Sequence, residues 1–187
     1  MTGLIIVIAL VVMIGLFLIG AYNRLVRLRN NRENAFADID VQLRQRHDLI
    51  PQLVEAVKGY MKHEKDLLTE VTNARARAMS AGSINDKIAA ESQLTSALGG
   101  LKIAVEAYPD LKANQNFLNL QEEISDVENK LAAARRFFNS ATKELNVVVE
   151  SFPSNVVAGM FGFIREPMFD LGERREAMEE PPAVNFD

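Results

Sequence analysis

The chain has 187 residues, 48% of them hydrophobic and 25% charged, with a net charge of −4. This balance excludes a wholly disordered polymer and a basic nucleic-acid binder. The absence of cysteine excludes a disulfide framework and a cysteine-linked lipid anchor, and fits a reducing compartment.

The first element is apolar throughout. Gly3 to Tyr22 carries no charge, and as a helix it would span roughly 30 Å, the hydrocarbon thickness of a bilayer. A cleaved signal peptide would show a shorter apolar core, a preceding Lys or Arg and a small-residue cleavage site; none is present. The segment is therefore expected to be a transmembrane anchor, residues 1–23. No basic residue precedes it, whereas Arg24, Arg27, Arg29 and Arg32 follow at once. Basic flanks stay in the cytoplasm, so the short end is expected outside, with the bulk of a single-pass protein inside. The four arginines are expected to face anionic lipid headgroups.

Apolar spacing is helical from there almost to residue 152. An upstream seam runs through Phe36, Ile39, Leu43, Ile50, Val57, Leu67, Val71, Ala74 and Ala78, with polar interruptions at Arg46 and Glu64. Within it, Asp48 can act as an N-cap that places Pro51 in a first helical turn, so a kink or a restarted helix is expected. Ala81 to Asp86 is a turn signal, with Gly82 as helix stop and Ser83 or Asn85 as the next cap. The following helix, about 84–106, holds Gly99 and Gly100 in its interior and should be the weakest element. Tyr108-Pro109-Asp110 marks another break. The clearest seam then steps by threes and fours through Phe117, Leu120, Ile124, Val127, Leu131, Ala134, Phe138, Ala141, Leu145, Val148 and Phe152, the repeat that left-handed, coiled-coil-like packing requires. Pro153 should end it.

Val156 to Ile164 is apolar but too short to cross a bilayer and is expected to dock on the bundle. From Arg165 to Asp187 there are three basic and seven acidic residues, which reads as an acidic tail. The fold class is thus all-α: a transmembrane helix, then an antiparallel, up-and-down four-helix bundle over 24–160, then a tail over 161–187. One length is awkward. A single helix from Arg24 to Ser80 would rise about 85 Å, more than the next helix could return. Either the first helix protrudes as a stalk, or Tyr108-Pro109 is only a kink.

Chemistry is hard to place on this pattern. On one helix His47 and His63 would lie about 24 Å apart, too far to share an ion. His63-Glu64 lacks the second histidine of the zinc-peptidase motif, since Leu67 stands there. A di-iron bundle needs Glu-x-x-His pairs, but Arg44 and Tyr60 precede the two histidines at that spacing. Glu122, Glu123, Asp126 and Glu128 read as a solvated face. No nucleophile elbow or phosphate-binding glycine loop is evident, so neither catalytic residues nor a cofactor is assigned. The charged interruptions, Arg46 and Glu64 on the upstream seam and Glu128 and Arg135 one heptad apart beside the second, are expected to pair across helices and fix register, or else to line a polar groove for a partner.

Several blocks resemble the LemA family: Tyr22 to Val26, Asp40 to Leu43, Arg46 to Val54, His63-Glu64, Ala74 to Ala76, Glu106 to Asn114, and Ala134 to Arg136. The resemblance covers nearly the whole chain to about Phe163. It implies a bacterial protein of the cytoplasmic membrane, with an N-terminal span and a cytoplasmic four-helix bundle. It also implies a gene neighbourhood with membrane zinc peptidases. The expected function is a membrane-anchored scaffold or adaptor, a homo-oligomer in the lipid bilayer; the alternative is an accessory or substrate-holding factor for a membrane-bound peptidase. An enzyme is not expected. The candidate structural and interaction residues are Arg46, Asp48, Pro51, Glu64, Arg75, Tyr108, Pro109, Asn114, Glu128 and Arg135.

Overall fold

The computed structural model describes residues 1–169. Six helices account for 84% of them, with no strand among the described residues: α1 Thr2–Lys58, α2 Lys65–Ser80, α3 Ile84–Val105, α4 Pro109–Lys112, α5 Gln115–Glu150 and α6 Ser154–Met160. The all-α class with a long apolar first helix is as the seams require. The described chain divides into two compact units, Met1–Gln45 with Ser125–Phe169, and Arg46–Ile124.

In the first unit, α1 and the second part of α5 run antiparallel: Leu25 packs with Leu145 and Val148, and Phe36 meets Phe138 at 5.5 Å. The heptad seam makes this possible, because a 3.5-residue repeat keeps one stripe facing the partner helix. Val127, Leu131, Phe138, Leu145 and Val148 are all buried, each contributing about 1.5–3 kcal/mol if the side chain is large. Phe152 is the exception, exposed because α5 stops at Glu150, before it. Ser154 turns the chain there, its hydroxyl donating to the Val148 carbonyl at 2.6 Å and so satisfying one of the orphan acceptors of a helix end.

The expected docking of 156–164 is half realised. Val157 and Ala158 are buried against Leu25, Leu145 and Val148, while Val156, Met160, Phe161 and Ile164 stay exposed. Gly162 (φ +72°) ends α6, and the Phe163 N–H donates to the Ala158 carbonyl at 2.9 Å. This six-to-one bond around a left-handed residue is a Schellman stop, which needs glycine. Residues 161–169, assigned to the tail by composition, continue along this unit to the buried Phe169; the rest of the expected tail lies outside the described residues.

In the second unit the chain goes up, down, up and down. α1 ends at Lys58, the turn Gly59–Glu64 reverses the chain, and α2 returns. α3 runs antiparallel to α2: Arg77 Nε donates to Gln93 Oε1 at one end, and Leu67 meets Gly100 at the other. The awkward 85 Å length disappears at Gly59–Glu64, a break that the apolar spacing alone does not reveal. Tyr108-Pro109 is a true interruption, since α3 ends at Val105 and α4 is a single turn. Ser83 is the cap of α3, its side chain accepting from the Asp86 N–H at 3.0 Å. Gly100 has a packing role: a Cβ there would come within 3.3 Å of Leu67 Cδ1.

Two expectations about α1 are corrected. Asp48 is not a cap, and the helix neither restarts nor breaks at Pro51, which lies inside it. The physical reason is found in the site itself.

Candidate functional site

The second unit encloses a polar cluster. Arg46 and His47 leave α1 side by side, and Glu91 and Thr95, one turn apart on α3, meet them. Arg46 Nη1 donates to Glu91 Oε2 at 3.1 Å and Nη2 to Thr95 Oγ1 at 3.0 Å; His47 Nε2 lies 2.6 Å from Glu91 Oε1. All four residues are buried. Both carboxylate oxygens therefore carry a partner, which is the condition under which a charge can be held away from water.

Pro51 belongs to the same construction. Proline has no N–H, so in a continuous helix the carbonyl of residue 47 loses its usual donor. Arg75 of α2 supplies the replacement: its Nε donates to the His47 carbonyl at 2.7 Å. The helix passes through the proline because a neighbouring helix satisfies the orphaned acceptor. α1, α2 and α3 are thus joined through two consecutive residues, Arg46 and His47.

The other candidates serve elsewhere. Asp48 is exposed within α1, its carbonyl 3.4 Å from Gln52 Nε2. Glu64 stands at the N-cap position of α2, and the acid that meets Arg46 is Glu91 of α3, which is not among the charged interruptions read from the seams. His63 is exposed in the turn. Tyr108 occupies the N-cap position of α4, with Pro109 in its first turn. Asn114 caps α5: its Oδ1 accepts from the N–H groups of Asn116 and Phe117 at 3.0 and 3.1 Å, and its Nδ2 donates to Tyr60 Oη. Glu128 and Arg135 fall in the first unit, where Arg135 lies over the Phe169 ring at 5.9 Å. Of the ten candidates, then, Arg46, Pro51 and Arg75 converge, and the rest do not join them.

In the first unit the four arginines after the apolar stretch divide. Arg24 and Arg27 are exposed; Arg29 is also exposed but its guanidinium lies 5.3 Å from the Phe163 ring centre. Arg32 does not face lipid. It is buried, 4.9 Å over the ring of Phe138, 3.4 Å from the Glu166 carboxylate and 3.4 Å from the Pro167 carbonyl. Burial lowers its pKa, opposed by the charges of Glu166 and Glu33.

Two asparagines of α5 hold the segment that carries Glu166. Asn146 Nδ2 donates to the Glu166 carbonyl and its Oδ1 accepts the Glu166 N–H, both at 2.8 Å. Asn139 does the same to Phe169, at 3.1 and 2.7 Å. The spacing explains the match: seven helical residues rise about 10.5 Å, and three extended residues cover about 10 Å. Each carboxamide replaces the strand neighbour that an extended backbone would otherwise need.

Glu91, Thr95, Asn139 and Asn146 are absent from the sequence-derived candidates, yet each left a signal. Glu91 and Thr95 fall three and seven residues after Ile88, on the apolar face of α3. Asn139 and Asn146 are a heptad apart, directly after seam residues Phe138 and Leu145. Among the described residues no three metal-ligating side chains gather.

A profile described as the LemA family matches residues 35–186. Protein LemA of Metamycoplasma hominis is 27% identical over 156 residues, covering 83% of this chain and 71% of the relative. Magnetosome protein MamQ of Magnetospirillum gryphiswaldense is 22% identical, and magnetosome protein MamQ 1 of Paramagnetospirillum magneticum 21%, over 174 residues in both. The match covers 79% of this chain and 64% of either MamQ protein, just under two thirds of their length.

Proposed function

Since this chain belongs to the LemA family, we propose that it is a single-pass protein of the bacterial cytoplasmic membrane whose cytoplasmic helices form a self-assembling scaffold. The observation that carries this reading is the continuity of α1. Its first 22 residues are free of charge and exposed along most of their length, and the same helix proceeds without a linker into the packed part of the first unit. An apolar surface of this kind is stable in hydrocarbon, and an unbroken helix transmits the anchor's position to what packs on it. Self-assembly is supported by Val41 and Phe137, large apolar side chains left more than half exposed on α1 and α5.

The chain has no cysteine, so single substitutions report topology cleanly. A membrane-impermeant maleimide should label Thr2→Cys on intact cells, and Gly82→Cys only after permeabilisation. The reverse pattern overturns the orientation. Mass photometry in detergent should give a multiple of the 20.8 kDa chain; monomer at every concentration overturns self-assembly, and co-purification of a membrane peptidase with that monomer would favour the accessory role instead.

A further inference from the structure

We propose that residues 151–164 form a second membrane contact, a loop and short helix that sink into the cytoplasmic lipid interface beside the exit of the span. This deepens the membrane-span reading and rests on it.

Ser151 to Ile164 contains no charged residue, and Glu150 and Arg165 at its two ends form an ion pair at 3.1 Å. Its buried face is accounted for by Val157 and Ala158. Phe152, Val156, Met160, Phe161 and Ile164 of the same stretch are each more than half exposed. Isolated apolar side chains on a surface are ordinary, whereas five large ones within a single uncharged stretch point to an interaction site.

Its place on α1 identifies the occupant. Tyr22, the last residue of the uncharged stretch, meets Phe161 at 4.7 Å and Phe163 at 6.1 Å. A groove of about 430 Å³ is lined by Phe17, Gly20 and Ala21 of α1 on one side and by Phe152 and Pro153 on the other. Phe17 lies five residues before Tyr22, hence about 7 Å further into the apolar stretch. That depth falls within the roughly 5–10 Å to which interfacial helices bury their apolar faces. If Gly3 to Tyr22 fills the hydrocarbon, whatever packs beside Phe17 and Ala21 is itself among lipid. The exposed guanidinium groups of Arg24, Arg27 and Arg29 are positioned at the level of anionic headgroups.

The chain contains no tryptophan, so depth can be read with single reporters in the full chain. The vesicles are phosphatidylethanolamine and phosphatidylglycerol, with bromine near the head of the acyl chain or deep within it. Val11→Trp reports the span, Phe152→Trp and Met160→Trp the loop, and Phe137→Trp, about 22 Å back along α5, is the control away from lipid whether or not another copy covers it. Shallow bromine should cut emission of both loop reporters by roughly twofold or more, while deep bromine quenches Val11→Trp and neither quenches Phe137→Trp. A quenched Val11→Trp with loop reporters that emit as in water overturns the proposal and leaves the span intact. Blue-shifted but unquenched loop reporters overturn it too, by showing a second protein copy on the face. An unquenched Val11→Trp overturns the span and this inference together.

Discussion

Removing Glu91 tests whether the ionic cluster in the second unit holds that unit together. In Glu91→Leu, Arg46 keeps Thr95 as a partner but loses the carboxylate held at 3.1 Å, and His47 loses its 2.6 Å contact. The two side chains of the Arg46–Glu91 pair are 3% and 1% exposed, so water cannot take over. At an effective dielectric constant of 20 the pair attracts with about 5 kcal/mol before desolvation is charged against it. Measured breakage of such pairs costs about 3–5 kcal/mol, a large part of the roughly 5–15 kcal/mol that holds an ordinary domain. The double variant Arg46→Met with Glu91→Leu removes both charges and should recover most of the loss, or exceed the parent, because desolvation is then avoided. Denaturant titration of the full chain in detergent, read by a tryptophan at the exposed position Ile103, separates the four states of the cycle. Glu91→Leu within about 1 kcal/mol of the parent would refute the burial argument, since that is the worth of an exposed pair.

Three further expectations follow from named contacts. Pro51→Ala restores an N–H that competes for the His47 carbonyl, so Arg75→Ala should cost less in that background than in the parent, with a coupling of about 1 kcal/mol in a double-mutant cycle; equal costs would separate Arg75 from the proline. Asn146→Asp keeps the acceptor for the Glu166 N–H but loses the donor to its carbonyl. The cost of about 1–3 kcal/mol should appear as faster tryptic cleavage after Arg165, roughly tenfold for each 1.4 kcal/mol when local opening controls the rate. Asn114→Ala removes the acceptor for two α5 N–H groups and should lower stability by about 1 kcal/mol; Asn114→Asp or Asn114→Ser should restore most of it, and a silent Asn114→Ala would show that the cap is dispensable.

The seams were readable because burial is periodic. Ten of the eleven positions from Phe117 to Phe152 are buried or half-buried, and the exception follows a helix end. The caps Ser83 and Asn114 sit where local hydrogen bonding needs them, and of the two caps that the turn signal offers, Ser83 and Asn85, the structure uses Ser83. The Gly59–Glu64 turn was less visible, because the seam residues Val57 and Leu67 on either side still fit a helical count. Arg46 stands out in the sequence as a polar interruption of a seam, whereas Glu91, which meets it from α3, does not: position along a seam gives the face and not the helix across from it. By spacing Arg32 groups with Arg24, Arg27 and Arg29, whereas in the structure it faces the interior and pairs with Glu166.

Local and periodic properties were therefore determined by the amino-acid order alone: an uncharged stretch long enough for a bilayer, helices with one apolar stripe, and the positions of most stops. Such features depend on neighbours within a few residues, and their free energy is set by the chain itself. Tertiary structure alone decided which buried charge meets which, why α1 survives Pro51, and that Asn139 and Asn146 clasp the backbone of residues 166 and 169. In each case the partners lie at least 20 residues apart, and a hydrogen bond across that distance exists only once apolar packing has brought the bonding groups of two helices, or of a helix and the extended segment that returns along it, to about 3 Å from one another.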